Sequence, residues 1–246
     1  MSLYEITLLG FLAGTLGTGL GGGAAVFLSR ISSRQLSTLL GFSAGIMLAI
    51  VFFDLIPEAL HTGGIFWGVA GLILGTVLMA CIDFLLPHFH VPGERAASRY
   101  VHTGVVLGLG IAMHNFPEGL AIGGGSTYEI QLGFALAAAI AFHDIPEGLA
   151  MAIPLCLGKV RRSRIVLGTV AAGMPTGLGA LLGAIMGRVS PVFMSLALGL
   201  AGGAMLFITC DEMLPQAKEL SRGRSAAFGT TAGVISGILL TALLAG

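Results

Sequence analysis

Charge is what this chain has least of. Only 10% of its 246 residues are Asp, Glu, Lys or Arg, where a soluble globular domain carries about 25%. With 55% hydrophobic residues and a mean hydropathy of +0.96, the composition excludes a water-soluble domain and describes an integral membrane protein. Net charge is zero, so bulk electrostatics give no reason to expect a nucleic-acid partner. Cysteine is scarce as well. Cys81, Cys156 and Cys210 are odd in number, far apart and set in apolar or near-apolar runs, as small buried hydrophobes are. The first apolar run is too long for a cleavable signal and lacks a charged leader. Long connections are also missing, so a single transmembrane domain over 1–246 is expected, with no second soluble domain.

What is present is length in the apolar runs. Eight stretches, at 3–28, 36–60, 64–86, 101–124, 130–157, 164–187, 192–214 and 225–245, read as transmembrane helices. The expected fold is therefore all-α, with eight spans. The connections after the odd-numbered spans hold Arg30, Arg34, Arg95, Arg99, Lys159, Arg161, Arg162, Arg164, Lys218, Arg222 and Arg224, and the others hold only Arg188. The positive-inside rule puts the eleven on the cytoplasmic side of the cell membrane and both termini outside.

A constant offset of 158 residues lays the start of the chain over its end. "GFSAGIMLAIVFFDLIPEA" (41–59) falls on "GLAGGAMLFITCDEMLPQA" (199–217), matching Gly45 with Gly203, Met47 with Met205, Asp54 with Glu212 and Pro57 with Pro215. Spans 1–3 (1–90) thus repeat as spans 6–8 (164–246), flanking a central pair at 101–157. Because the copies start five spans apart, they enter the bilayer from opposite sides. Inverted repeats around a midplane site are the architecture of secondary transporters. The glycine pattern at 17–22 fits G-x-G-x-x-G, but no strand precedes it and it sits in a span, so helix packing is the better account.

The chemistry lies in the central pair. "HNFPEGLA" (114–121) and "HDIPEGLA" (143–150) recur 29 residues apart. At helical spacing His114 and Glu118 share one face, about 40° and 6 Å apart, as do His143 and Glu147. Asn115 and Asp144 flank those faces. Pro117 and Pro146 remove a backbone donor and free a carbonyl one turn earlier. Each of the acids Glu118, Asp144 and Glu147 costs roughly 2.5–3.5 kcal/mol in mid-membrane if charged. No lysine or arginine lies within these spans to offset them. Either they are protonated or a cation comes from outside. Imidazole mixed with carboxylate favours a borderline divalent transition metal such as zinc or ferrous iron over calcium. An internal His–Glu hydrogen bond around each proline kink is the bland alternative, and it explains neither the duplication nor the missing counter-ions. A proton relay would also use these groups, but needs no two pairs able to converge on one point.

At these residues the chain resembles the ZIP family of divalent metal transporters. The paired motifs look like that family's fourth- and fifth-helix signatures, and "DEMLP" (211–215) and the "LLPHFH" loop extend the likeness along the chain. The resemblance implies a transporter, not an enzyme. It implies that zinc, or iron, manganese or cadmium, is bound as substrate by His114, Asn115, Glu118, His143, Asp144 and Glu147, with Met47 contributing from the second span. It also suggests a homodimer in the lipid bilayer. One departure stands out: Thr176, in "AGMPTG" (172–177), occupies the place of a sixth-helix glutamate that completes a second metal position in many members.

Asp54, Glu58 and His61, near the outer end of the second span, are expected to gather metal at the entrance. Asp211 and Glu212 in the seventh span, with Asp83, His88 and His90, are expected on the exit side. The glycine-rich faces of spans 1 and 6 are expected to let a bundle of spans 1, 4, 5 and 6 move against the rest, a division the family and the repeat imply. An intramembrane zinc hydrolase would use the same ligand types, yet there is no H-E-x-x-H and a hydrolase has no use for the repeat. A passive metal channel differs from a carrier only in lacking the conformational change.

Overall fold

The computed structural model describes residues 1–27, 32–85, 96–221 and 223–244. The described residues are helical almost throughout, because a chain in hydrocarbon must satisfy its backbone groups within each segment. The helices are α1 (Leu3–Phe27), α2 (Ser33–Ala49), α3 (Ile56–Leu85), α4 (Ala96–Tyr128), α5 (Ile130–Leu157), α6 (Arg162–Val189), α7 (Pro191–Ile208), α8 (Leu214–Leu220) and α9 (Ser225–Leu244). Among the described residues six helical runs are long and apolar enough to cross a membrane, and Ser225–Leu240 is a shorter apolar helix. The protein is an all-α, multi-pass membrane protein. Its outer surface is hydrocarbon: Leu8, Leu12, Leu16 and Leu20 form an exposed stripe at i, i+4 spacing on α1.

Polar residues mark the helix starts. Ser32 caps α2 in a capping box, its hydroxyl accepting from the Gln35 amide while the Gln35 side chain accepts from the Ser32 amide. Ser190 caps α7, with Pro191 at the first helical position. The expected break between the second and third spans takes an unexpected form. The apolar run Ser33–Ile82 covers 50 residues, which at 1.5 Å per residue would be about 75 Å as one straight helix, more than twice a hydrocarbon core. It is interrupted only at Gly64, where φ is 82° and ψ 166°, a backbone conformation costly for any residue with a Cβ.

Two π-helical segments, Ile50–Leu55 and Thr209–Met213, join α2 to α3 and α7 to α8. Each is followed two residues later by a proline, Pro57 and Pro215, whose missing N–H leaves a carbonyl in the wide turn unpaired by the helix.

By packing the helices form one group of four and two pairs. α2 lies along α9 and α3 along α7; α1, α4, α5 and α6 pack on one another, and the contacts between the groups are less extensive. Within each group backbones touch. A methyl added to Gly148 on α5 would strike the Thr18 carbonyl of α1, and one on Gly45 of α2 would strike the Thr230 carbonyl of α9. This changes the expected role of the glycines in α1 and α6. Gly14 and Gly22 meet α6, Gly17 and Gly21 meet α5, and Gly179 and Gly183 meet α4. These faces bind four helices into one body and do not form its boundary, because small residues let backbones approach and lock.

Candidate metal centre

α4 and α5 carry the two histidine–proline–glutamate motifs to one point inside the bundle. Pro117 and Pro146 sit within unbroken helices. His143 and Asp144 are fully buried, as are Asn115 and Glu118, and His114 and Glu147 are nearly so. One ligand atom from each of Glu118, His143, Asp144 and Glu147 lies within 4.8 Å of the others, close enough to share one ion.

The pairing crosses between helices. His114 Nε2 on α4 lies 2.6 Å from Glu147 Oε2 on α5, and His143 Nε2 on α5 lies 2.8 Å from Glu118 Oε1 on α4. The intrahelical bond that i, i+4 spacing permits is not the one formed. His143 is held at its other nitrogen, where Nδ1–H donates to the Ala139 carbonyl at 3.1 Å, which presents Nε2 to the centre. Asp144 Oδ1 lies 3.6 Å from His143 Nε2.

Several buried atoms of this cluster have no hydrogen-bond partner: His114 Nδ1, Asn115 Oδ1, Glu118 Oε2 and both oxygens of Asp144. Buried polar atoms are normally satisfied, and orphans concentrated in one cluster suit a site whose lone pairs serve a cation. Three carboxyl groups meet two imidazoles, and among the described residues no lysine or arginine pairs with them. What the arrangement can do is bind a cation that wants nitrogen and oxygen together.

The profile of the family described as ZIP Zinc transporter matches residues 92–245, more than half of the chain and the part that holds both motifs. The chain belongs to this family. Among its relatives, the zinc transporter ZupT of Akkermansia muciniphila is 33% identical, aligned over 98% of this chain and 97% of its own length. ZupT of Chlorobium luteolum is 36% identical over 98% of this chain and all of its own, and ZupT of Salmonella paratyphi A 35% over 97% and 95%. A ZIP protein is a transporter, so the hydrolase reading falls away and a metal at this centre is cargo.

The other residues singled out in the sequence are less concentrated than the ZIP motifs. Asn115 is at the centre, but its amide donates to the Ala172 carbonyl of α6 at 2.9 Å, leaving only Oδ1 to turn elsewhere. Met47 is fully buried on α2, and its sulfur accepts from Thr209 Oγ1 at 3.8 Å. Thr176 is buried with Oγ1 unpartnered, and a methyl on Gly14 would strike that oxygen. Glu58 is half-buried and accepts from Thr62 Oγ1 at 2.7 Å, with the exposed His61 ring 4.0 Å away; Asp54 is half-buried in the first π-helical segment. Asp211 is exposed and Glu212 half-buried, both in the second π-helical segment. Glu212 Oε2 reaches toward Gly110, one turn before His114 on α4. Asp83 lies in the last turn of α3, while His88 and His90 lie outside the described residues.

One residue of the centre escapes the motifs. Ser43 on α2 is fully buried, and its hydroxyl lies 3.0 Å from Glu147 Oε1 and 3.0 Å from the His143 carbonyl. A serine in an apolar span ordinarily bonds its own helix, so only its position one turn before Met47 could have drawn notice.

Proposed function

We propose that this chain carries zinc, and with it iron, manganese or cadmium, across the cell membrane into the cytoplasm through the centre between α4 and α5. The observation that carries this reading is the reciprocal pair of buried His–Glu contacts beside Asp144, with no lysine or arginine among the described residues paired with them. The family and the zinc transporters it resembles supply the cargo. His114, Glu118, His143, Asp144 and Glu147 act as ligands, with Asn115 Oδ1 and Met47 at the margin. Asp54, Glu58 and His61 gather metal outside, and Asp211, Glu212, His88 and His90 receive it inside.

Eight crossings suit this chain, with both termini outside. Gly64 supports dividing the 50-residue run into a second and a third span. An inverted repeat is supported by features that recur at the 158-residue offset. The π-helical segments begin at Ile50 and Thr209, one residue from exact register. Ser37 Oγ donates to the Ala217 carbonyl and Ser195 Oγ to the Ala59 carbonyl, each at 2.6 Å, and these are the same bond with the two repeats exchanged. Gly45 against α9 likewise mirrors Gly203 against α3. The protein is then one transmembrane transporter domain, 1–90 and 164–246 flanking 101–157, and it works as a homodimer in lipid.

Transport follows as exposure of the centre alternates while α1, α4, α5 and α6 move as one body against α2, α3, α7 and α9. The metal displaces the protons that His114 and His143 share with their carboxylates, since a nitrogen that ligates cannot also donate. Purified protein in proteoliposomes tests the reading. Saturable, strongly temperature-dependent zinc uptake is expected. Uptake linear in zinc would make it a passive channel, and no uptake at all would overturn the proposal.

A further inference from the structure

Glu147 is held at both oxygens, and the two bonds meet different fates when an ion arrives. Oε2 lies 2.6 Å from His114 Nε2, a contact that breaks if His114 joins Glu118, His143, Asp144 and Glu147 on the ion, because ligation takes the nitrogen lone pair. Oε1 lies 3.0 Å from the hydroxyl of Ser43, which stands on α2, outside the four-helix group. A serine hydroxyl carries one hydrogen, and of its two neighbours the carboxylate is a stronger acceptor than the His143 carbonyl. This contact can survive metal binding.

We infer that Ser43 is a positioning residue that sets the metal preference of the centre by restricting Glu147 to one-oxygen coordination. The inference rests on the assignment of Glu147 as a ligand. The serine hydroxyl takes one lone pair of Oε1 and anchors that oxygen toward α2, so Glu147 turns Oε2 to the ion. Low coordination number and mixed nitrogen and oxygen donors suit zinc, which is most often four-coordinate. Manganese prefers more oxygen donors and an octahedral shell, which a two-oxygen carboxylate helps to fill. Removing the hydroxyl frees Oε1 to swing onto the same ion and moves the centre toward manganese.

The register that places Ser43 is itself fixed. Phe42 and Phe142, each one residue before a member of this contact, meet edge to face with ring centroids 6.0 Å apart. The position matching Ser43 at the repeat offset is Ala201, so the hydroxyl has no counterpart in the other copy.

The test compares initial rates of radiolabelled zinc and manganese uptake by proteoliposomes holding wild type, Ser43→Ala, Ser43→Thr and Glu147→Ala, with competition binding of the two metals to the purified proteins. Ser43→Ala is expected to raise the manganese-to-zinc ratio at least about tenfold in both measurements, the scale of one charge-assisted hydrogen bond. Ser43→Thr, which retains a hydroxyl, is expected to keep the wild-type ratio. A serine that merely packs would change both metals equally. An unchanged ratio in Ser43→Ala, or the same shift in Ser43→Thr, overturns the inference. Wild-type uptake by Glu147→Ala would instead overturn the ligand assignment beneath it.

Discussion

His114 and Glu147, 33 residues apart in the chain and on different helices, meet at 2.6 Å. With the matching contact of His143 to Glu118, this makes the centre a joint property of α4 and α5. Each of the two closest contacts joins a histidine of one helix to a glutamate of the other, while Asp144 lies 3.6 Å from His143 on α5 itself.

Removing one partner therefore disables both helices. His143→Ala and Glu147→Ala are each expected to reduce zinc uptake by about a hundredfold or more, the scale of a lost ligand and the orphaned charge it leaves. Membrane insertion should persist, since both changes delete ligands and leave the glycine contacts in place. Calorimetry on the purified variants should show the loss of binding in parallel. Normal uptake with normal affinity would contradict the assignment.

Acid should oppose binding. The ligating nitrogens must be unprotonated and the carboxylates ionised, so zinc binding releases protons and its affinity falls as pH falls. Isotherms at several pH values, with proton release followed in weakly buffered solution, check the sign. Uptake that climbs steadily toward acid would instead favour the proton relay.

Thr176 should keep the centre to one tightly held ion per protomer, because a hydroxyl brings no charge to a second divalent cation. Thr176→Glu is expected to raise metal content or affinity and to slow release. Space is short here, since Gly14 faces the Thr176 hydroxyl, so Thr176→Asp is the smaller companion. Two tightly bound ions per protomer in the unaltered protein, measured by elemental analysis, would refute this.

Gly148→Ala and Gly45→Ala should both destabilise, by about 1–3 kcal/mol, because each methyl meets a backbone carbonyl that cannot rotate away. Thermal unfolding in detergent reads the effect. A melting temperature equal to wild type would mean that the helices separate more readily than their contacts imply.

Much of the centre was legible in the sequence, and the limit has a physical cause. Histidine and glutamate four apart fix a helix face, so the participants could be named at once. Which histidine bonds which glutamate depends on the rotation and distance of two helices, and the spacing within one helix is silent on both. Ser43 was hidden for a related reason: its partner is 104 positions away. That the run from Ser33 to Ile82 breaks at the single residue Gly64 was hidden because hydropathy dips at a polar connection whatever the backbone does there. The glycines of α1 and α6 were legible as close contacts but not as to which neighbour they touch.

Those glycine contacts have a mechanical corollary. Backbone lies on backbone where glycines meet, whereas Phe42 of α2 touches Phe142 of α5 edge to face and Leu198 of α7 faces Gly124 of α4. The four-helix group α1, α4, α5 and α6 is a stiff block that meets the α2–α9 and α3–α7 pairs largely through oily side chains. In the proposed alternation, sliding along that oily layer needs rotamer changes among apolar side chains and the release of the Ser43 contacts to Glu147 and His143. The speed of such a motion is governed by friction between hydrocarbon groups, the same drag that sets how fast lipid tails pass one another.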